Sequence, residues 1–286
     1  MITKPTTKEI IRSAVDLPSV EKANPVGIQA LLKRPDIQLR LSDMLKENAS
    51  YFAQSLITIV NTNPHLRKCE PNSIMACAFQ AAMYKLPLAP QLGYIYFVPF
   101  KKGDIYVATL IVGYKGYFQL ALRSNTVKFL NMGEVYEGEI PVFNRLSGNL
   151  VGIEGKPTND KITDYFIYYE SIGGFVKSII KSKEELMAHG KKYSPAYSNS
   201  YGLWKTDPDV MFRKTLARKL ASYMVFSLED TQIMASIMKN DEKIPVLNGN
   251  NDVEFEMIDE TTVEPIEEVI DFGLNKSTET ELVVVK

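Results

Sequence analysis

The sequence predicts an α+β fold, and three observations carry that expectation. Apolar residues recur at helical spacing over residues 36–60 and again over 207–226, at the two ends of the main body. Between them lie β-branched and aromatic runs broken by glycine-containing turns, the mark of antiparallel hairpins. The 286 residues are 45% hydrophobic and 23% charged, enough to bury a substantial core. The expected arrangement is a helical N-terminal part, a central antiparallel sheet with hairpins packed by helices, a basic C-terminal helix of the core and a mobile acidic tail.

In chain order, Ile37, Leu41, Met44, Leu45, Phe52, Leu56, Ile59 and Val60 form one amphipathic stripe, closed by the turn residues Asn61-Thr62-Asn63-Pro64. Pro71 opens a second helix over 72–85, because a proline in the first turn lacks only a donor that would be unpaired anyway. Its alanines (Ala76, Ala78, Ala81, Ala82) suit close packing, and Leu86-Pro87 stops it. Residues 94–100 and 105–112 read as a hairpin with Lys101-Lys102 at its tip. Gly113-Tyr114-Lys115-Gly116 breaks the second strand, and 117–123 reads as a short helix. Further strands are expected at 127–136, 164–171 and 175–179, with Gly173-Gly174 as a tight turn. Residues 141–161 read as a loop excursion. Ser182-Lys183-Glu184-Glu185 is a capping-box pattern.

Asp207-Pro208 supplies an N-cap and a first-turn proline for a helix to about residue 226. At 100° per residue, Phe212, Leu216, Leu220, Tyr223 and Met224 share one arc. Lys214 and Arg218 lie opposite, flanked by Arg213 and Lys219. A last helix is expected over 230–239.

Charge divides the chain. Residues 1–240 carry a net +9 and residues 241–286 a net −10, within a total of −1. The expected division is therefore a basic core (1–240) and an acidic, largely disordered tail or small partner-binding segment (241–286). A basic body attracts phosphate, and an acidic tail can screen it or recruit partners. No apolar run approaches the roughly 20 residues of a membrane span, and no apolar signal core follows Met1, so a cytoplasmic protein with no membrane partner is expected. Cys69 and Cys77, eight residues apart, are read as reduced, small apolar side chains.

Recognisable catalytic chemistry is scarce. His65 and His189 are the two histidines, and neither couples to a nucleophile or to metal-ligand spacing. The segment around Lys115 lacks the leading glycine and the Lys-Ser/Thr pair of a phosphate-binding loop. Glu134, Glu137 and Glu139 are the nearest approach to clustered carboxylates, which keeps a metal-dependent nuclease as an alternative. Basic residues interleaved with aromatics are better represented, and they suit single-stranded nucleic acid: cations for phosphates, rings for bases.

The ordered blocks sharpen that reading. Asn63-Pro64-His65-Leu66, Cys69 to Ile74, Leu86 to Pro90, Gly93 to Phe100, Gly113-Tyr114-Lys115-Gly116, Leu120 to Ser124, Val135-Tyr136-Glu137, Trp204 and Met211 to Arg218 together resemble the RecT family of phage-type single-strand DNA annealing proteins. The resemblance covers about residues 55–225. It departs at Pro87, where the family usually has glycine between two leucines. It implies no enzyme, but an ATP-independent protein that coats single-stranded DNA as a ring or filament and pairs it with its complement in homologous recombination. The implied partners are single-stranded DNA and annealed duplex, further copies of itself, a partner exonuclease and the host single-strand-binding protein. No cofactor is required, with Mg²⁺ left a modulating role in DNA binding or assembly. Candidate DNA-binding residues are Tyr114, Lys115, Arg123, Lys191, Lys192, Trp204, Lys205, Arg213, Lys214, Arg218 and Lys219; Tyr114 and Trp204 suit either base stacking or core packing. A passive single-strand-binding protein is the other alternative.

Overall fold

The computed structural model describes residues 27–102, 104–194, 197, 203–240, 243–247, 253–257 and 263–264. Four helices open it: α1 (Ile28–Leu32), α2 (Pro35–Leu45), α3 (Ala49–Thr62) and α4 (Pro64–Lys68). The stripe expected as one helix is two, because Lys46 adopts a left-handed φ of 51° and a short 3-10 turn intervenes. The inward residues are nevertheless the expected ones, with Ile37, Leu41, Phe52, Leu56 and Val60 buried. Asn63 does more than end a helix: its side chain accepts from the backbone N–H of His65 (2.9 Å) and Leu66 (3.2 Å), capping α4.

Helix α5 (Pro71–Met83) is buried from Ser73 to Ala82 on every side. Its alanines allow that, since a small side chain lets neighbouring backbones approach all round the cylinder. It lies on the hairpin of β1 (Ile95–Lys102) and β2 (Ile105–Val112). Ser73 fixes the contact, donating to the Glu70 carbonyl (2.7 Å) and accepting from the Ala108 N–H (2.9 Å). Cys69 and Cys77 are buried and unbridged, and burial pushes the Cys69 thiol up to about 12.

Helix α6 (Tyr114–Arg123) follows directly, so Gly113-Tyr114-Lys115-Gly116 is its first turn rather than only a strand end. The glycines are there for close approach. A Cβ at Gly113 would lie 2.3 Å from the Gly93 carbonyl oxygen, and one at Gly116 would lie 2.4 Å from that of Tyr94.

In place of one central sheet there are two of three strands. The second has the order β3-β6-β7, with β3 (Val127–Tyr136), β6 (Ile162–Ser171) and β7 (Val176–Ser182) all antiparallel. The stretch expected as a loop excursion holds a hairpin, β4 (Glu139–Phe143) and β5 (Leu150–Gly155). Its strands are short and interrupted by Pro141, Gly152 and Gly155, which hides their alternation from a periodicity reading.

Then come α7 (Lys183–Tyr193), α8 (Leu203–Thr206), α9 (Pro208–Ala221) and α10 (Leu228–Asn240). The capping box is present: Glu185 N–H donates to Ser182 Oγ (3.1 Å), and Ser182 N–H to Glu185 Oε2 (3.0 Å). Helix α9 ends at Ala221, earlier than the spacing suggests, so Tyr223 leaves the apolar arc and is exposed. Phe212, Leu216 and Leu220 are buried, and the Phe212 ring meets Tyr165 of β6 at 5.2 Å. Within the acidic C-terminal segment, β8 (Lys243–Leu247) and β9 (Val253–Met257) pair, with β8 against α5 and β2. Strand β10 (Val263–Glu264) joins the first sheet in the order β10-β1-β2, opposite Lys101 and Lys102. Residues 1–26 and 265–286 lie outside the described residues.

Candidate nucleic-acid interface

The site is assembled around α9, and Trp204 sets its geometry. The indole is only 4% exposed and packs between Phe212 (6.1 Å) and Tyr197 (5.7 Å), with its Nε1 donating to Ser194 Oγ (2.9 Å). It presses on Gly190 of α7 so closely that a Cβ there would lie 2.5 Å from the ring. Of the two roles open to Trp204, the structure gives it core packing. By fixing α7 against α9, it positions the charged side chains beyond it.

Those side chains form a hollow lined by Lys181, Glu185, His189, Lys192, Thr215 and Lys219. Lys192 and Lys219 are exposed, and Lys191 is exposed beside them on α7. Lys181 donates to Glu185 (2.5 Å), and this hydrogen bond, with the one from Ser182 N–H, holds the Glu185 carboxyl below its usual range. His189 is pushed below the ordinary imidazole range by partial burial, then by Lys219, Arg218 and Lys192. Those three cations all lie close enough to the ring to oppose its protonation. Tyr193 stands at the rim, half exposed, with the His189 ring at 4.7 Å and Lys192 Nζ at 5.0 Å from its centre. Cations around an exposed ring offer phosphate contacts and a base-stacking face within one patch.

A second group lies at the start of α6, which packs along α9. Tyr114 is half-buried, in edge contact with Phe118 (6.0 Å), and Lys115 Nζ and the Arg213 guanidinium each lie 6.0 Å from its ring. Lys115 is exposed, whereas Arg213 pairs with Glu134 of β3. Exposed Lys205 stands over the Tyr197 ring at 4.7 Å, and half-buried Lys214 lies farther along α9.

The three candidate arginines are engaged inside the protein. Arg123 donates from Nε (2.8 Å) and Nη2 (2.5 Å) to Asp230 and from Nη1 to the carbonyls of Tyr84 (2.9 Å) and Lys85 (3.1 Å). It joins α5, α6 and α10 and stands apart from the lysine patch. Burial pushes the Asp230 carboxyl up, but hydrogen bonds from Arg123, Ser124 and Ser227 outweigh it and leave the group below its usual range. Arg218 Nη2 reaches the Met238 carbonyl at 3.4 Å. Glu137 accepts from Asn159 and Lys161, Glu139 accepts from Tyr136 N–H (2.8 Å) and Glu134 pairs with Arg213, so each of these carboxylates is engaged with different partners. Among the described residues, no three His, Cys, Asp or Glu side chains converge as a metal site.

Lys181, His189 and Tyr193 border this patch and are not among the candidate DNA-binding residues named from the sequence, although Tyr193 belongs to the basic-aromatic run Lys191-Lys192-Tyr193. For Tyr193 the signal was its place directly after Lys191-Lys192, four residues beyond His189, one helical turn away. Lys181 carried none, since it ends a strand and the cations that join it come from the later helices α7 and α9.

A lysine-rich, partly aromatic face on helices backed by an antiparallel sheet has the composition expected of a nucleic-acid-binding surface. The model of the RecT family matches residues 50–257, well over half of the chain, and the protein belongs to that family. Two relatives span most of its length. An uncharacterized protein, YqaK, of Bacillus subtilis is 31% identical over 222 residues, 77% of this chain and 75% of the relative. Protein RecT of Escherichia coli is 27% identical over 228 residues, 76% of this chain and 81% of the relative. Membership makes the chain a single-strand annealing protein of DNA recombination. No helix among the described residues is long and apolar enough to cross a membrane.

Proposed function

We propose that this protein pairs complementary single strands without ATP, holding one strand along the lysine face of α7 and α9 while the base edges stay free. The observation that carries this reading is the convergence of Lys181, Lys192 and Lys219 around His189, with Tyr193 exposed beside them. Phosphate contacts position a strand without reading its sequence, which is what a protein indifferent to sequence requires. Lys115, Lys191, Lys205 and Lys214 extend the track. Tyr114 shapes its wall, and Arg123, Arg213 and Arg218 act from within the fold.

The working form is a homo-oligomer, ring or filament, that acts in the cytoplasm beside a partner exonuclease and the host single-strand-binding protein, with Mg²⁺ tuning DNA binding or assembly. Nothing in this scheme needs a bond to be broken, so the protein is not an enzyme. The test is fluorescence-followed annealing of complementary oligonucleotides, without ATP, over a salt series. Acceleration that fades with salt is expected. Slower pairing means a passive coat, and cut DNA in Mg²⁺ or Mn²⁺ means a nuclease.

A further inference from the structure

The outer face of the second sheet carries a different kind of surface. Register places Phe129 opposite Glu170, Asn131 opposite Tyr168 and Gly133 opposite Phe166, all on the face turned away from α9. The β4–β5 hairpin folds over this face and leaves a groove of about 700 Å³. The hairpin is held down: Leu150 N–H donates to Ser178 Oγ (2.6 Å), Ser178 N–H to Asn149 Oδ1 (3.0 Å) and Asn149 Nδ2 to the Val176 carbonyl (3.1 Å). The groove is therefore formed before anything enters it.

Its lining contains no charged side chain, in contrast to the hollow between α7 and α9. The Phe129 ring is 53% exposed and meets Tyr168 edge-on at 5.8 Å. The Phe166 ring covers Gly133, where a Cβ would lie 2.8 Å from it. Asn131 and Asn144 spend their carbonyl oxygens on local backbone N–H groups, Met132 for the first and Leu146 and Ser147 for the second. Among the described residues, their NH₂ groups and the Tyr168 hydroxyl make no hydrogen bond. Cations border the groove in sequence: Lys128 precedes Phe129, with Glu170 as its partner (2.6 Å), and Arg145 follows Asn144 on the exposed turn.

We infer that this groove is a second single-strand site, separate from the lysine face, that takes unpaired nucleobases between the Phe129 and Tyr168 rings and the amides of Asn131 and Asn144. The chemistry selects the occupant. A neutral aromatic wall with open amide donors matches the faces and acceptor edges of bases, and exposed Arg145 at the border matches a phosphate outside. The lysine face grips a strand by its backbone, whereas this groove grips one by its bases. The inference rests on the annealing reading for its ligand, but not for its location.

The test is photocrosslinking of the full-length protein to a dT oligonucleotide carrying 5-iodo-deoxyuridine, with mapping of the joined peptides, alongside affinity measurements on Phe129→Ala and Phe129→Trp. Crosslinks to 127–136 or 162–171 are expected, together with about tenfold weaker binding for Phe129→Ala and near-normal binding for Phe129→Trp. The slope of affinity against salt should be unchanged in Phe129→Ala, because no phosphate contact is lost. Crosslinks confined to α6, α7 and α9, with Phe129→Ala binding as wild type, overturn the groove and leave the annealing reading standing. Loss of self-association in Phe129→Ala without loss of DNA affinity also overturns it and makes the face a contact between copies. No single-strand binding by the wild-type protein overturns both.

Discussion

The two sheets of this protein serve different ends. The first, β10-β1-β2, lies under a helix with ten consecutive residues out of water, and its central contact is a serine bridging α5 to β2. The second, β3-β6-β7, is sealed on one side by α9 and partly open on the other, and the lysine hollow sits over its β7 edge. The comparison teaches that the tightly buried packing and the open, charged surface are housed apart. The same separation holds among the candidate DNA-binding residues. Arg123, Arg213 and Arg218 have partners within the fold, while Lys115, Lys191, Lys192, Lys205 and Lys219 are exposed. A guanidinium makes several directed bonds and suits a structural joint, whereas an ammonium on a flexible stem suits a moving phosphate.

Substitutions on the two sides should therefore separate cleanly. Phe79→Ala, in the first region, removes a fully buried ring and should cost about 3–5 kcal/mol, seen as a large fall in the denaturant midpoint. Asp230→Ala strands the Arg123 charge and should cost about 3 kcal/mol, the lower part of the range for breaking a buried pair, although Arg123 was a candidate DNA contact. A DNA-binding loss with unchanged stability in that variant would break the division. Lys192→Glu with Lys219→Glu should leave stability within about 0.5 kcal/mol, since both side chains are exposed. The same pair should weaken single-strand binding and flatten its salt slope by about 1.4, at roughly 0.7 per lost phosphate contact.

The smallest effect is on pH. The folded His189 sits below its ordinary value of 6.5, so the unfolded chain takes up the proton first. Its contribution to stability is complete above pH 6.5 and is lost as the pH falls through the folded value. A bound phosphate favours the protonated ring, so DNA affinity should move the opposite way and rise below pH 6.5. Melting and binding measured at pH 7.5 and 5.5, with His189→Gln as control, should show two opposite trends that both shrink in the variant.

Much of the fold was legible because local chemistry decided it. The β1–β2 hairpin, the Gly173-Gly174 turn, the Ser182–Glu185 box and the alanine-rich α5 each follow from neighbours in sequence. What escaped was decided at a distance or against propensity. The break at Lys46 needs a non-glycine residue at positive φ, which no periodicity announces. The β4–β5 hairpin is held by Ser178, 28 residues beyond Leu150. The site was legible to the level of α9's basic side and Lys191-Lys192. Which cations face solvent was not, because helical spacing assigns Arg123 and Arg213 a side but not partners 107 and 79 residues away.

The central claim is that the lysines between α7 and α9 carry the annealing activity while the rest of the body carries stability. The most direct measurement follows fluorescence of two complementary oligonucleotides without ATP, comparing wild type with the Lys192→Glu/Lys219→Glu protein, each checked by thermal melting. The account predicts rapid, salt-sensitive annealing by wild type, and annealing near the protein-free rate by a variant that melts at the wild-type temperature. A variant that melts normally and anneals as fast as wild type would contradict it.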